Sequence, residues 1–181
     1  MNMISVNPFT PLIFLAAFFF DALKDFSILY LFIFLHECAH FLTALFLHES
    51  PKKIHLLPWG CMLSLASPPC GIKGAVIFFA GPFLNLILFF MGIFPRQNFT
   101  LALFNLLPVL PLDGGEIVAL LFPRGAFFIS VVTCTALFSA SFYFKIPPIL
   151  PLFLTALVIF DKKSRIERKV SRCAARFLDK K

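Results

Sequence analysis

His36, Glu37 and His40 form the pattern H-E-x-x-H inside an apolar run from Ser27 to Leu47. In a helix, residues i and i+4 share one face about one turn apart, so both imidazoles can reach the same ion. Glu37 stands beside the first imidazole and can draw a proton from a water held there. This is the physical basis on which the spacing serves zinc-dependent hydrolysis. Cys38 and Ala39 point elsewhere. With four His and four Glu in the chain, chance would give the pattern in roughly two of a thousand chains of this composition. The setting sharpens the signal, because an ionised side chain at the centre of a bilayer costs roughly 2.5–3.5 kcal/mol by insertion scales. A group kept there at such a cost is expected to be used.

A catalytic zinc ion takes three protein ligands, so one is still to be found. His48 is two to three turns beyond His40, roughly 12 Å along a helix axis, too far for the same ion. His55 returns only if the chain folds over. Asp113 is the best candidate. It shares its apolar segment with one other ionisable residue, Glu116, follows Pro108 and Pro111, and precedes Gly114 and Gly115. Prolines break the helical hydrogen-bond ladder, and a broken segment at membrane depth is expected where it lines a polar cavity.

The elements that must carry these residues are set by composition. The 181 residues are 60% apolar, 17% aromatic and 14% charged, with 27 Phe and a mean hydropathy of +0.92. Soluble domains run near 45–50% apolar and about 25% charged. An all-α polytopic membrane protein is expected, with about six transmembrane helices of near-spanning length. The predicted spans are 8–20, 27–47, 73–94, 99–121, 126–143 and 147–160, within one domain of residues 1–160. A small membrane-associated β-hairpin is expected after the second span. Residues 48–72 are broken by Pro51, Pro58, Gly60, Pro68, Pro69 and Gly71, and the short apolar runs between them read as two strands. The five Cys contain no C-x-x-C pair and are odd in number, which excludes a zinc ribbon or a disulfide framework.

The net charge of +7 is concentrated at one end. Residues 161–181 hold nine Lys/Arg against three Asp/Glu, a net +6. Ile166, Val170, Cys173, Ala174, Phe177 and Leu178 recur there at helical spacing. A basic amphipathic tail on the cytoplasmic leaflet is expected, in contact with anionic lipid headgroups. Nucleic acid is not an expected partner, since no nucleic-acid-binding element accompanies the charge. With both termini inside, thirteen Lys/Arg fall on the inner side and three, Lys24, Arg96 and Lys145, on the outer.

H-E-C-A-H in one span and N-L-L-P-V-L-P-L-D-G-G in a later one, with Ala80-Gly81-Pro82 and Asn85 between them, resemble the site-2 protease family of intramembrane zinc metalloproteases. The match covers residues 27–122. The compact layout, with no PDZ insertion between the motifs, is most similar to the sporulation stage IV FB type. The chain departs from that type in having only residues 161–181 after the last predicted span, where its members commonly carry a nucleotide-binding CBS domain. The resemblance implies one zinc ion bound by His36, His40 and Asp113, Glu37 as the catalytic base, and Asn105 and Asn85 as substrate-binding residues. It implies a multi-pass protein of the bacterial cell membrane that cleaves a transmembrane or membrane-tethered regulatory protein, such as a sporulation sigma-factor precursor, under inhibitory membrane partners. Two other classes use the same residues. A metal transporter predicts several weaker ligand sets along a path, and an inactive client-binding scaffold predicts loss of a ligand.

Overall fold

The computed structural model describes residues 4–58, 60–66, 69, 71–145 and 147–159. The predicted tail at 161–181 lies outside them. The chain divides into two compact units, Met1–Leu107 and Pro108–Lys181.

The first unit contains β1 (Ile4–Val6), α1 (Thr10–Phe19), α2 (Leu23–Phe46), β2 (Pro51–Leu57), β3 (Gly60–Leu65), α3 (Gly71–Phe90) and α4 (Pro95–Asn105). β2 and β3 form the expected hairpin, with Leu57 opposite Gly60. Gly60 has φ +146°, a conformation that L side chains rarely adopt. The sheet is larger than expected, with three strands in the order β1-β2-β3. β1 runs parallel to β2, pairing Ile4 with Ile54 and Val6 with Leu56. Three residues are too few to show a strand's alternation in sequence, so β1 was not legible. The sheet is tied to the helices by polar contacts. The Thr10 hydroxyl donates to the Leu56 carbonyl at 3.1 Å, and the Tyr30 hydroxyl donates to the Leu57 carbonyl at 2.8 Å. Ser5 Oγ and His55 Nδ1 lie 2.6 Å apart across β1 and β2.

The second unit contains α5 (Asp113–Leu121), α6 (Ala126–Tyr143) and α7 (Ile149–Ile159). Residues 106–112 do not continue a helix. The span predicted at 99–121 is therefore two helices, α4 and α5, with a loop between them. The cause is local: Pro108 and Pro111 have no N–H to donate to a helical ladder, and their rings crowd the preceding turn. The loop folds onto α5 instead. A Cβ on Gly115 would collide with the Val109 carbonyl and the Leu110 nitrogen. Ser130 of α6 fastens the loop, its Oγ accepting from the Leu110 N–H at 3.1 Å and donating to the Ala126 carbonyl at 2.9 Å.

Among the described residues, α2 and α3 are long and apolar enough to cross a membrane, while Thr10–Phe19, Ala126–Ser141 and Ile149–Ile159 are shorter apolar helices. Large apolar side chains stand outward at the helix ends, with Phe20 83%, Phe46 82% and Phe90 80% exposed. Water is a poor solvent for such a surface.

Candidate metal centre

α2 and α3 pack against each other, and the site lies between them. Ile77, Gly81 and Asn85 are spaced by four residues and so share one stripe of α3. That stripe faces His36 and His40 of α2, and the two helices run antiparallel there. Nδ1 of His36 lies 2.6 Å from Oδ1 of Asn85. Nδ1 of His40 lies 2.6 Å from the backbone carbonyl of Ile77. Both acceptors are oxygens without a hydrogen to give, so each ring carries its proton on Nδ1 when neutral. Both Nε2 atoms then present lone pairs, and they converge to 3.1 Å. The rings are nearly perpendicular, at 85°. Two lone pairs so close repel unless a cation lies between them or beside them.

Gly81 is what lets the rings come so near. A Cβ at that position would lie 2.6 Å from Nε2 of His36 and would also collide with Nε2 of His40. Beside it, Pro82 lies within α3 and offers no N–H to the Phe78 carbonyl, so the helix lacks a rung there. Both imidazoles are buried, each 4% exposed.

Glu37 is half-buried and completes the group. One ligand atom from each of His36, Glu37 and His40 lies within 4.8 Å of the others. The Leu63 N–H of β3 donates to Oε2 of Glu37 at 2.8 Å. Leu63 is paired in register with Ile54, yet its N–H points away from β2, so the outer edge of β3 is turned toward the carboxylate. Cys61, two residues earlier, has its side chain on the same face of the sheet as Leu63. Burial, and then the Glu37 carboxylate, push the Cys61 thiol up to about 12. At neutral pH it is a thiol, not a thiolate ligand or nucleophile.

The other residues singled out in the sequence fall in three places. Asn85 is completely buried, with its oxygen on His36 and its amino group on Oδ1 of Asn98 at 2.8 Å. Both ends of its amide are engaged by protein groups. Asn105 is the last residue of α4, and its amino group donates to the Leu101 carbonyl of its own helix at 3.1 Å. Asp113 opens α5, in the second unit, with Glu116 in the same first turn. Asn98 was missed. It falls between the spans predicted at 73–94 and 99–121, although proline at the first helical position is a helix-start signal. α4 begins at Pro95 and turns Asn98 wholly inward.

The residues present suit a divalent metal ion such as zinc: two convergent imidazole nitrogens, each with its other nitrogen anchored, a neighbouring carboxylate, and a glycine that leaves them room. The class is thus a mostly helical chain of apolar helices with a small sheet and a buried His-Glu-His group. The comparisons make it more particular. No family model matches the chain. Stage IV sporulation protein FB of Bacillus subtilis (strain 168) is 30% identical over an alignment 139 residues long, and the match covers 67% of this chain and 48% of that protein. The chain thus spans about half the length of the curated relative it matches. The site-2 protease from Methanocaldococcus jannaschii superimposes with a TM-score of 0.60 at 20% identity, covering 87% of each chain. That likeness establishes the fold. The chain has a site-2 protease fold, and its resemblance to that family, and to the sporulation stage IV FB type within it, is shown.

Proposed function

We propose that this chain is an intramembrane zinc metalloendopeptidase that cleaves a transmembrane or membrane-tethered regulatory protein. The observation that carries this is the meeting of the His36 and His40 Nε2 atoms, 3.1 Å apart, over Gly81 and beside Glu37. His36, His40 and Asp113 would hold the ion, Asp113 entering on the strength of its motif. A zinc ion so held lowers the pKa of a water toward about 7 and polarises a carbonyl.

Everything else is done by the chain's own groups. Glu37 takes a proton from the attacking water and passes it to the leaving amine. The Leu63 N–H keeps that carboxylate turned into the site. A substrate helix hides its carbonyls in its own ladder and must unwind to be cut. β3 is an edge strand of the sheet, and pairing along its outer edge would satisfy the unwound backbone by strand addition. Asn105, at the end of α4, would serve substrate on the same reading. The apolar helices of residues 1–160 would sit in the bacterial cell membrane, with the basic tail 161–181 on the cytoplasmic leaflet. The resemblance to a stage IV sporulation protein favours a sporulation sigma-factor precursor as substrate, with inhibitory membrane partners.

The test is co-expression or co-reconstitution with tethered candidate substrates, reading fragments and metal content together. Wild-type protein should carry about one zinc per chain and yield fragments, while Glu37→Gln should keep the zinc and yield none. Cleavage that survives Glu37→Gln would sink the mechanism. Zinc without any Glu37-dependent product across the substrate set would favour a transporter or a scaffold.

A further inference from the structure

Behind His36 runs a chain of buried amides whose direction is fixed at its far end. Nδ2 of Asn98 donates to the Ile93 carbonyl at 2.8 Å and approaches the Phe94 carbonyl at 3.4 Å. Carbonyls only accept, so the amino group of Asn98 must face them and its oxygen must face the other way. That oxygen receives Nδ2 of Asn85 at 2.8 Å. Oδ1 of Asn85 is thereby turned to Nδ1 of His36, at 2.6 Å. Both asparagines are 0% exposed, so bulk water is kept from these positions. Two backbone carbonyls at the α3–α4 turn thus dictate, through two side chains, which nitrogen of His36 carries the proton.

We infer that Asn98 and Asn85 form a two-amide relay that holds His36 in its Nδ1–H tautomer, with Nε2 aimed at the metal, and that both are positioning residues of the centre. Asn98 lies on a different helix from either histidine, outside the H-E-x-x-H and L-D-G-G motifs. His40 needs no such relay, because a backbone carbonyl, that of Ile77, sets its tautomer directly. The two ligands are therefore unequal: one is fixed by main chain, the other by replaceable side chains. This rests on the metalloprotease reading only for the identity of the ion.

The experiment reads zinc affinity, by chelator competition, and the tautomer of His36, by imidazole nitrogen NMR of the detergent-solubilised full chain. In metal-free wild type, His36 should show the Nδ1–H form, the minor form of a free histidine side chain. Asn85→Leu should lower zinc affinity toward 100-fold and Asn98→Leu nearer 10-fold, in the range typical for groups that support metal ligands. Both should return His36 toward the Nε2–H form. Phe26→Leu loosens the packing of α1 on α2, where Phe14 and Phe26 meet at 5.0 Å, without touching either histidine or the amides, and should change neither readout. An Nε2–H tautomer in the wild type, or wild-type zinc affinity in a folded Asn98→Leu, overturns the relay. The tautomer of the wild type decides the matter even if a variant fails to fold. A wild type that binds no zinc would remove the metalloprotease reading while leaving the tautomer test standing.

Discussion

Gly81 and His40 approach so closely that a methyl group on the glycine would overlap Nε2 of the histidine. The contact is between a helix backbone and a ring already anchored at Nδ1 by the Ile77 carbonyl, so neither side can yield cheaply. Forcing one methyl into such a site costs about 1–3 kcal/mol. Gly81→Ala should displace one or both rings and lower zinc affinity about 10- to 100-fold, with a modest drop in thermal stability. Chelator competition and a melting curve check this. Unchanged affinity would mean that the ion does not sit where the two Nε2 atoms meet.

The Leu63 N–H and the Glu37 carboxylate offer a cleaner cut, because the bond can be removed from the strand side. The N–H points off the sheet, so proline there breaks no rung with β2. A hydrogen bond to a charged group is worth about 1.5–3 kcal/mol. Leu63→Pro should therefore lower kcat about 10- to 100-fold while zinc content stays at the wild-type level. Leu63→Ala keeps the N–H and should stay within a few-fold of wild type. Equal loss in both variants would assign the effect to the side chain.

Cys61 reports on the same carboxylate. Its thiol is pushed up to about 12 by burial first and by Glu37 second. A raised thiol pKa means that the reactive thiolate appears only at higher pH. With the other cysteines replaced by serine, alkylation of Cys61 should be slow at pH 8 and rise steeply only near the shifted value. Glu37→Gln removes the second cause and leaves the first. The alkylation profile should then move to lower pH without reaching that of a free cysteine. A profile unmoved by Glu37→Gln would place the carboxylate away from β3.

Much of this was legible in the sequence, and the reasons for the rest are physical. His36, Glu37 and His40 declare themselves because i, i+4 spacing alone brings two side chains together on any helix. The hairpin declares itself through Pro58 and Gly60. The break inside 99–121 declares itself through Pro108 and Pro111, which remove the donors a helix needs. β1 is too short to show a pattern. The contact of Asn85 with His36 was not legible, because their distance depends on how α2 and α3 pack, which no local spacing encodes. Asn98 was hidden for the same reason at one remove, since its role exists only through Asn85.

Asp113 is the proposed ligand whose assignment leans most on its motif, and Ser130 gives a way to test it indirectly. Ser130 accepts the Leu110 N–H in the loop that leads into α5, and it is fully buried. Alanine there leaves a buried N–H without its acceptor, a loss of about 1–3 kcal/mol. Stability should fall by that amount whatever Asp113 does. If Asp113 holds the ion, loosening the loop at its N-terminal side should also weaken zinc binding by several-fold, and Ser130→Thr, which keeps the hydroxyl, should restore it. Asp113→Asn should weaken binding far more than Ser130→Ala, since a neutral amide replaces the anionic ligand. Loss of stability with zinc affinity intact in both Ser130→Ala and Asp113→Asn would remove Asp113 from the ligand set.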